Sequence, residues 1–165
     1  MRALAPLVTA LISAGKVGSN IGAELSSMKV TEQIDAMEVS ATRPFKFLVV
    51  TRVIATTFMI PVLSMYCAFV GLMGSFVNVY QNEKTSFVNF FGDAFEQISF
   101  LDLGTSMVKA VSFGFTIGIV SCYKGYTTSM GTRGVGIAAN SAVVTSMFLV
   151  FVEEIVAVQI TSWFR

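Results

Sequence analysis

The run VIATTFMIPVLSMYCAFVGLMGSFVNVYQN, Val53 to Asn82, contains no charged side chain. An α-helix needs roughly 20 apolar residues to cross a hydrocarbon core of about 30 Å, and this run is longer. The composition around it agrees. The chain of 165 residues is 54% hydrophobic and only 13% charged, where soluble domains carry about 25% charged residues. Its mean hydropathy is +0.73. A water-soluble fold of this size has too little interior to hide that much apolar surface. The fold class is therefore an all-α integral membrane protein, with residues 1–165 forming a single transmembrane domain.

Working outward, four apolar segments emerge: about 3–19, 47–79, 101–123 and 135–160. The second, third and fourth are each long enough to span at 1.5 Å per residue, and the first looks incomplete. Pro61 within the second predicts a kink or a tilt. Gly18 and Gly22, and again Gly114 and Gly118, place small residues one turn apart, a spacing that admits close helix packing.

The connections set an orientation. The first, 16–52, carries Lys16, Lys29, Arg43, Lys46 and Arg52; the third carries Lys124 and Arg133. The second, about 78–100, has Lys84 against Glu83, Asp93 and Glu96. Positive residues mark the cytoplasmic side, so connections one and three lie inside. Connection two and the C-terminus, with Trp163 and Arg165, lie outside.

Within the first connection, MKVTEQIDAMEV (Met28–Val39) is a polar, helix-forming interruption in an apolar chain. A cytoplasmic helix over about 28–42 is expected, with Thr31 as its cap and Glu32, Gln33 and Asp35 in its first turn. Val30, Ile34 and Met37 form a short apolar stripe, and Arg43-Pro44 ends the helix. Helices that lie on membranes usually present Lys and Arg, whereas this one presents acids, which favours a protein partner.

Ionisable residues inside the spans are the second signal. Lys109, Glu153 and Glu154 lie roughly 10–12 Å from the outer ends of their segments, and Arg2 lies near the outer end of the first. A charge near the bilayer centre costs at least about 2.5 kcal/mol, so such residues usually face a cavity and pair. These four suit an outward-opening polar pocket, with Lys109 and Arg2 facing an anionic headgroup and a glutamate balancing them. Phe and Met side chains around it suit acyl chains.

Other chemistries find little support. The chain has no histidine, no HExxH and no nucleophile elbow. GTRGVG (131–136) follows no strand, which argues against nucleotide binding. A net charge of +1 without a basic block makes nucleic acid an unsuitable partner. Cys67 and Cys122 sit in apolar segments as reduced, packed thiols, with no metal site or disulfide. Met1-Arg2 and the short apolar stretch after it have the outline of a signal peptide. The preferred expectation is that the chain begins inside a spanning helix and is a fragment or shortened form.

The segment from Leu4 to Val39 resembles the signature region of the MlaE-type permeases, membrane subunits of bacterial ABC transporters that move phospholipids between membranes. The resemblance rests on Arg2, Leu4, Pro6, Ala14-Gly15-Lys16-Val17-Gly18-Ser19, Ala23-Glu24-Leu25 and Met28 to Glu38. Arg133 to Val144 resembles the family's approach to its last helix. Ala3 and Ala5 depart from the pattern, which has Glu and Gly there. Family members also usually carry roughly ninety further residues before this point.

The resemblance implies a homodimeric permease in the bacterial inner membrane. It implies a cytoplasmic ATPase subunit that binds the ATP and Mg, with no cofactor on this chain and no bond chemistry of its own. A periplasmic MCE-domain protein and phospholipid are the other implied partners. Residues 28–42 become the coupling helix, with Lys29, Thr31, Glu32, Gln33, Asp35 and Glu38 docking on the ATPase. Arg2, Lys109 and Glu154 become the lipid-binding set, and Glu153 joins it through its cost in the membrane and as a stand-in for the motif's missing glutamate. Two other readings of the residues stay open: an ATP-independent channel or secondary transporter using Lys109 and the glutamates, and a structural membrane scaffold.

Overall fold

The computed structural model describes residues 4–41, 43–83, 90, 92, 100–128 and 131–163. Four long apolar helices and one short polar helix make up nearly all of these, and no strand occurs among them. Arg2 and most of the connection at 78–100 lie outside the described residues; 78–83 belong to a helix rather than a loop.

Helix α1 runs from Leu4 to Val30, with a wide π turn at Ala14–Gly18. The expectation that the first segment ends near Ser19 and passes into a connection at Lys16 is thus corrected. Lys16, Asn20 and Glu24 interrupt the apolar run, but they lie on the exposed face. Ala10, Ala14, Gly18, Ile21, Gly22 and Leu25 stay buried on the other face. The helix continues because its packed face is continuous, whatever the mean hydropathy does.

Helix α2 covers Gln33–Val39. Helix α3 opens with a π segment, Phe45–Val50, and continues as Thr51–Glu83 with Pro61 inside it. Helix α4 is Phe100–Tyr126 and helix α5 is Thr132–Trp163. Helices α1 and α4 each pack against all three other spans, and α3 and α5 flank them.

Small residues permit this packing. A side chain at Gly114 would meet the Thr56 carbonyl at 2.7 Å, and one at Gly118 would collide with the Thr56 hydroxyl. A methyl group at Gly22 would lie 3.2 Å from that of Ala142, and one at Gly125 would lie 2.7 Å from Leu25 Cβ. Both glycine pairs noted in the sequence therefore sit at close helix crossings within the chain. Around them are two buried clusters. One holds Ala10, Ala14, Ile60, Phe113, Ile117 and Val150; the other holds Ile21, Leu25, Ile34, Leu48 and Cys122. Cys122 is buried and Cys67 half-buried, both as free thiols.

The exposed surface of the spans is apolar, with Phe58, Tyr66, Val108, Phe148 and Ile155 each about two-thirds exposed or more. Water would not tolerate such a surface, whereas lipid or another apolar partner does. The chain is multi-pass in a membrane.

Candidate functional site: a buried ion pair and an acidic end helix

Lys109 on α4 faces α5. Its Nζ lies 3.0 Å from Glu154 Oε1 and donates a hydrogen bond to it. The two side chains are 11% and 10% exposed. Counting along α4, Lys109 stands about 26 Å from the end of the helix at Tyr126. It thus lies in the half of the span remote from α2. Burial of a lone ammonium or carboxylate at this depth is costly, and the pairing offsets that cost. Glu154 Oε2 is buried and finds no hydrogen-bond partner among the described residues.

The neighbouring Glu153 is held differently. Its Oε2 accepts from Ser112 Oγ at 3.1 Å, and its Oε1 accepts from the Thr116 hydroxyl. Lys109, Ser112 and Thr116 lie at i, i+3 and i+7, so one face of α4 serves both carboxylates. The sequence reading missed Ser112 and Thr116, although this spacing from Lys109 could have found them. The cluster carries one ammonium against two carboxylates. The structure thus brings together Lys109, Glu153 and Glu154; Arg2 falls outside the described residues.

At the other end of the bundle lies α2. The expected cap at Thr31 is corrected: its hydroxyl turns back to the Ser27 carbonyl at 2.8 Å, closing α1 rather than opening α2. A local back-bond of this kind competes with forward capping. Glu32 takes the position before α2 in a left-handed conformation (φ 58°) without a side-chain cap. The extent 28–42 contracts to Gln33–Val39, because Met28, Lys29 and Val30 belong to α1. Nor does Arg43-Pro44 end α2. Ser40 and Ala41 (φ 57°) do so, and Pro44 opens α3. Pro suits a helix start, where its missing N–H has no helical partner to lose.

The expected apolar stripe survives in part. Ile34 is fully buried among Ile21, Leu25, Leu48 and Cys122, with Met37 packed beside them, while Val30 lies on α1. Burying Ile34 contributes on the order of 1.5–3 kcal/mol and fastens α2 to the bundle. Lys29 Nζ lies 3.1 Å from Asp35 Oδ1 and 5.9 Å from the centre of the Tyr126 ring. Phe45 meets the same ring edge-on, with centroids 6.5 Å apart. Of the six residues expected to dock, Thr31, Glu32, Gln33 and Glu38 are exposed, Asp35 is half-buried and Lys29 is occupied with Asp35. Beside them opens a recess of about 540 Å³ lined by Glu38, Arg43, Phe45 and Lys46.

Comparison with known proteins gives this geometry a context. A family model described as Permease MlaE matches residues 1–160. A probable ABC transporter permease protein of Rickettsia typhi is 41% identical over 154 residues, which is 93% of this chain and 59% of that protein. A probable ABC transporter permease protein of Synechocystis is 41% identical over 156 residues, 93% of this chain and 58% of its own length. The chloroplastic protein TRIGALACTOSYLDIACYLGLYCEROL 1 of Arabidopsis thaliana is 34% identical over 155 residues, covering 94% of this chain and 44% of that protein. The chain spans under two-thirds of the length of these relatives. With four apolar helices of spanning length and a match along nearly all of its residues, the chain belongs to the MlaE permease family.

Proposed function

We propose that this chain is part of a phospholipid-transporting ABC permease of the bacterial inner membrane, working as a homodimer. The observation that carries the proposal is the buried Lys109–Glu154 pair with Glu153 beside it, deep in an apolar bundle. Ionisable groups at such depth are costly and mark a substrate path in membrane proteins. A phospholipid offers the matching chemistry: a phosphate for Lys109 and for Arg2, acyl chains for the surrounding apolar faces, and a headgroup set against Glu153 and Glu154. The name of the Arabidopsis relative contains that of a galactolipid, which shares the two acyl chains of a phospholipid but carries no phosphate, so it supports a lipid cargo and not the headgroup.

At the opposite end, α2 acts as the coupling helix. Its buried Ile34 ties it to the spans, and its exposed Glu32, Gln33 and Glu38 present an acidic surface to a cytoplasmic ATPase. ATP and Mg are bound there, and this chain carries out no bond chemistry. Relatives named as ABC transporter permeases support that division of labour. A periplasmic MCE-domain protein exchanges lipid with the outer end.

Reconstitution of the full-length permease with its ATPase tests the reading. Joint reversal of Glu32, Asp35 and Glu38 to Lys is expected to abolish co-purification of the ATPase, and Lys109→Ala to lower co-purified phospholipid several-fold. Unchanged assembly and transport after the reversals sinks the coupling role. Unchanged lipid after Lys109→Ala sinks the pocket.

A further inference from the structure

The end of the bundle that carries the first and third connections has a feature that the outer cluster and α2 leave unexplained. Between the end of α4 and the start of α5 lies a recess of about 280 Å³, lined in part by Lys124, Thr127, Ile137 and Ser141. It shares Ile137 and Ser141 with a second recess of about 330 Å³ on the face of α5, lined further by Asn140, Val144 and Thr145. From Ile137 to Thr145 the helix rises about 12 Å.

Level and charge decide what fits. The Ser26 hydroxyl lies 2.6 Å from that of Thr128 and 3.3 Å from the Gly125 carbonyl, which aligns the lower part of α1 with the end of α4. Gly22 rests on Ala138 and Ala142 of α5 at the same level. The groove thus begins at the basic end of the bundle and climbs into the depth of the hydrocarbon. Among the described residues Lys124 makes no ion pair, and neither does Arg133 at the start of α5. The acids of this end are partly engaged, Glu24 with Arg52 and Asp35 with Lys29.

We propose that this groove binds an anionic phospholipid of the cytoplasmic leaflet, its phosphate at Lys124, with Arg133 next in the chain to the lining Gly134, and an acyl chain passing Ile137, Asn140, Ser141 and Val144. Basic recesses between spanning helices on the cytoplasmic side are suited to anionic headgroups. A free phosphate would use only the first recess, whereas the continuation to Val144 and Thr145 accommodates hydrocarbon. The site is separate from the outer cluster, since Lys124 and Lys109 stand roughly 22 Å apart along α4. The proposal rests on the orientation that puts this end in the cytoplasm, and stands whether or not the outer cluster binds lipid.

Photocrosslinking tests it. Val144 is 62% exposed, so p-benzoylphenylalanine at that position leaves the packed faces intact. The full-length permease, with the partners that purify with it, is placed in nanodiscs of phosphatidylcholine mixed with phosphatidylglycerol, illuminated, and the adduct is identified by mass. The adduct is expected to be enriched in phosphatidylglycerol over its share of the bilayer. Lys124→Gln and Arg133→Gln are each expected to lower that enrichment about fivefold, equivalent to ~1 kcal/mol per cation near the surface. Ser141→Phe, which fills the groove without changing charge, is expected to remove the adduct. An adduct with the composition of the bulk bilayer overturns the proposal, as does one insensitive to the two cations. An adduct with the mass of a second polypeptide, or a lipid adduct displaced by inorganic phosphate, overturns it equally.

Discussion

Lys109 and Glu154 meet at 3.0 Å across the α4–α5 contact, and both side chains are almost fully enclosed. Removing either partner alone strands the other charge in a low-dielectric setting, at a cost of about 3–5 kcal/mol. Lys109→Met is therefore expected to lower stability strongly, and Lys109→Met with Glu154→Gln to recover most of the loss. A double-mutant cycle by thermal melting in detergent checks this. Additive losses in the double variant would show that the two groups are not coupled.

The crossing of α3 and α4 leaves no room at Gly114, where a methyl group would lie 2.7 Å from the Thr56 carbonyl. Gly114→Ala is expected to force the helices apart and cost about 1–3 kcal/mol. A methyl group at Gly74 on α3 would have nothing within 4 Å. There Gly74→Ala is expected to be neutral or to stabilise by about 0.5–1 kcal/mol through lost backbone freedom. Melting temperatures of the two variants should move in opposite directions, or only the first should move.

Glu32 occupies the left-handed region between α1 and α2, a conformation that costs an L residue roughly 1–2 kcal/mol. Glu32→Gly relieves that cost, and Glu32→Val increases it because a β-branched side chain fits there worst. Stability is expected to rank Gly above Glu above Val. Equal melting temperatures for all three would argue against the left-handed junction.

Ile34 is fully buried and Val39 is 89% exposed, on the same short helix. Ile34→Ala is expected to cost about 2–5 kcal/mol and to speed amide exchange across Gln33–Val39. Val39→Ala is expected to stay within about 0.5 kcal/mol. Exchange that responds equally to both would mean that α2 is not anchored through Ile34.

Much of this architecture was legible because charge-free runs of spanning length admit few interpretations. Three helices lie within a few residues of where hydropathy puts them. The end of α1 was hidden, since Lys16 and Glu24 depress the local hydropathy while the packed face at Gly18, Ile21, Gly22 and Leu25 continues. Thr31 followed by Glu32 and Gln33 has the composition of a helix start, yet the hydroxyl bonds backward, a choice between two local geometries that composition does not encode. The intramembrane charges stood out through their cost, although the assignment of Lys109 to Glu154 rather than Glu153 depends on how α4 and α5 cross. Sequence spacing within either helix carries no information about that angle.

The buried positions of α5 recur every four residues: Gly134, Ala138, Ala142, Ser146, Val150, Glu154. In a helix of 3.6 residues per turn each such step advances about 40°, so the row winds more than halfway round the axis along its length. Its lower end therefore bears on Gly22 of α1, and its upper end presents Glu154 to Lys109 of α4. Helix α5 is geared to both neighbours like a screw held between two nuts. A turn that withdraws Glu154 from Lys109 also slides Ala138 and Ala142 across Gly22, so the charge pair at one end and the tight glycine seat at the other move as one mechanical part.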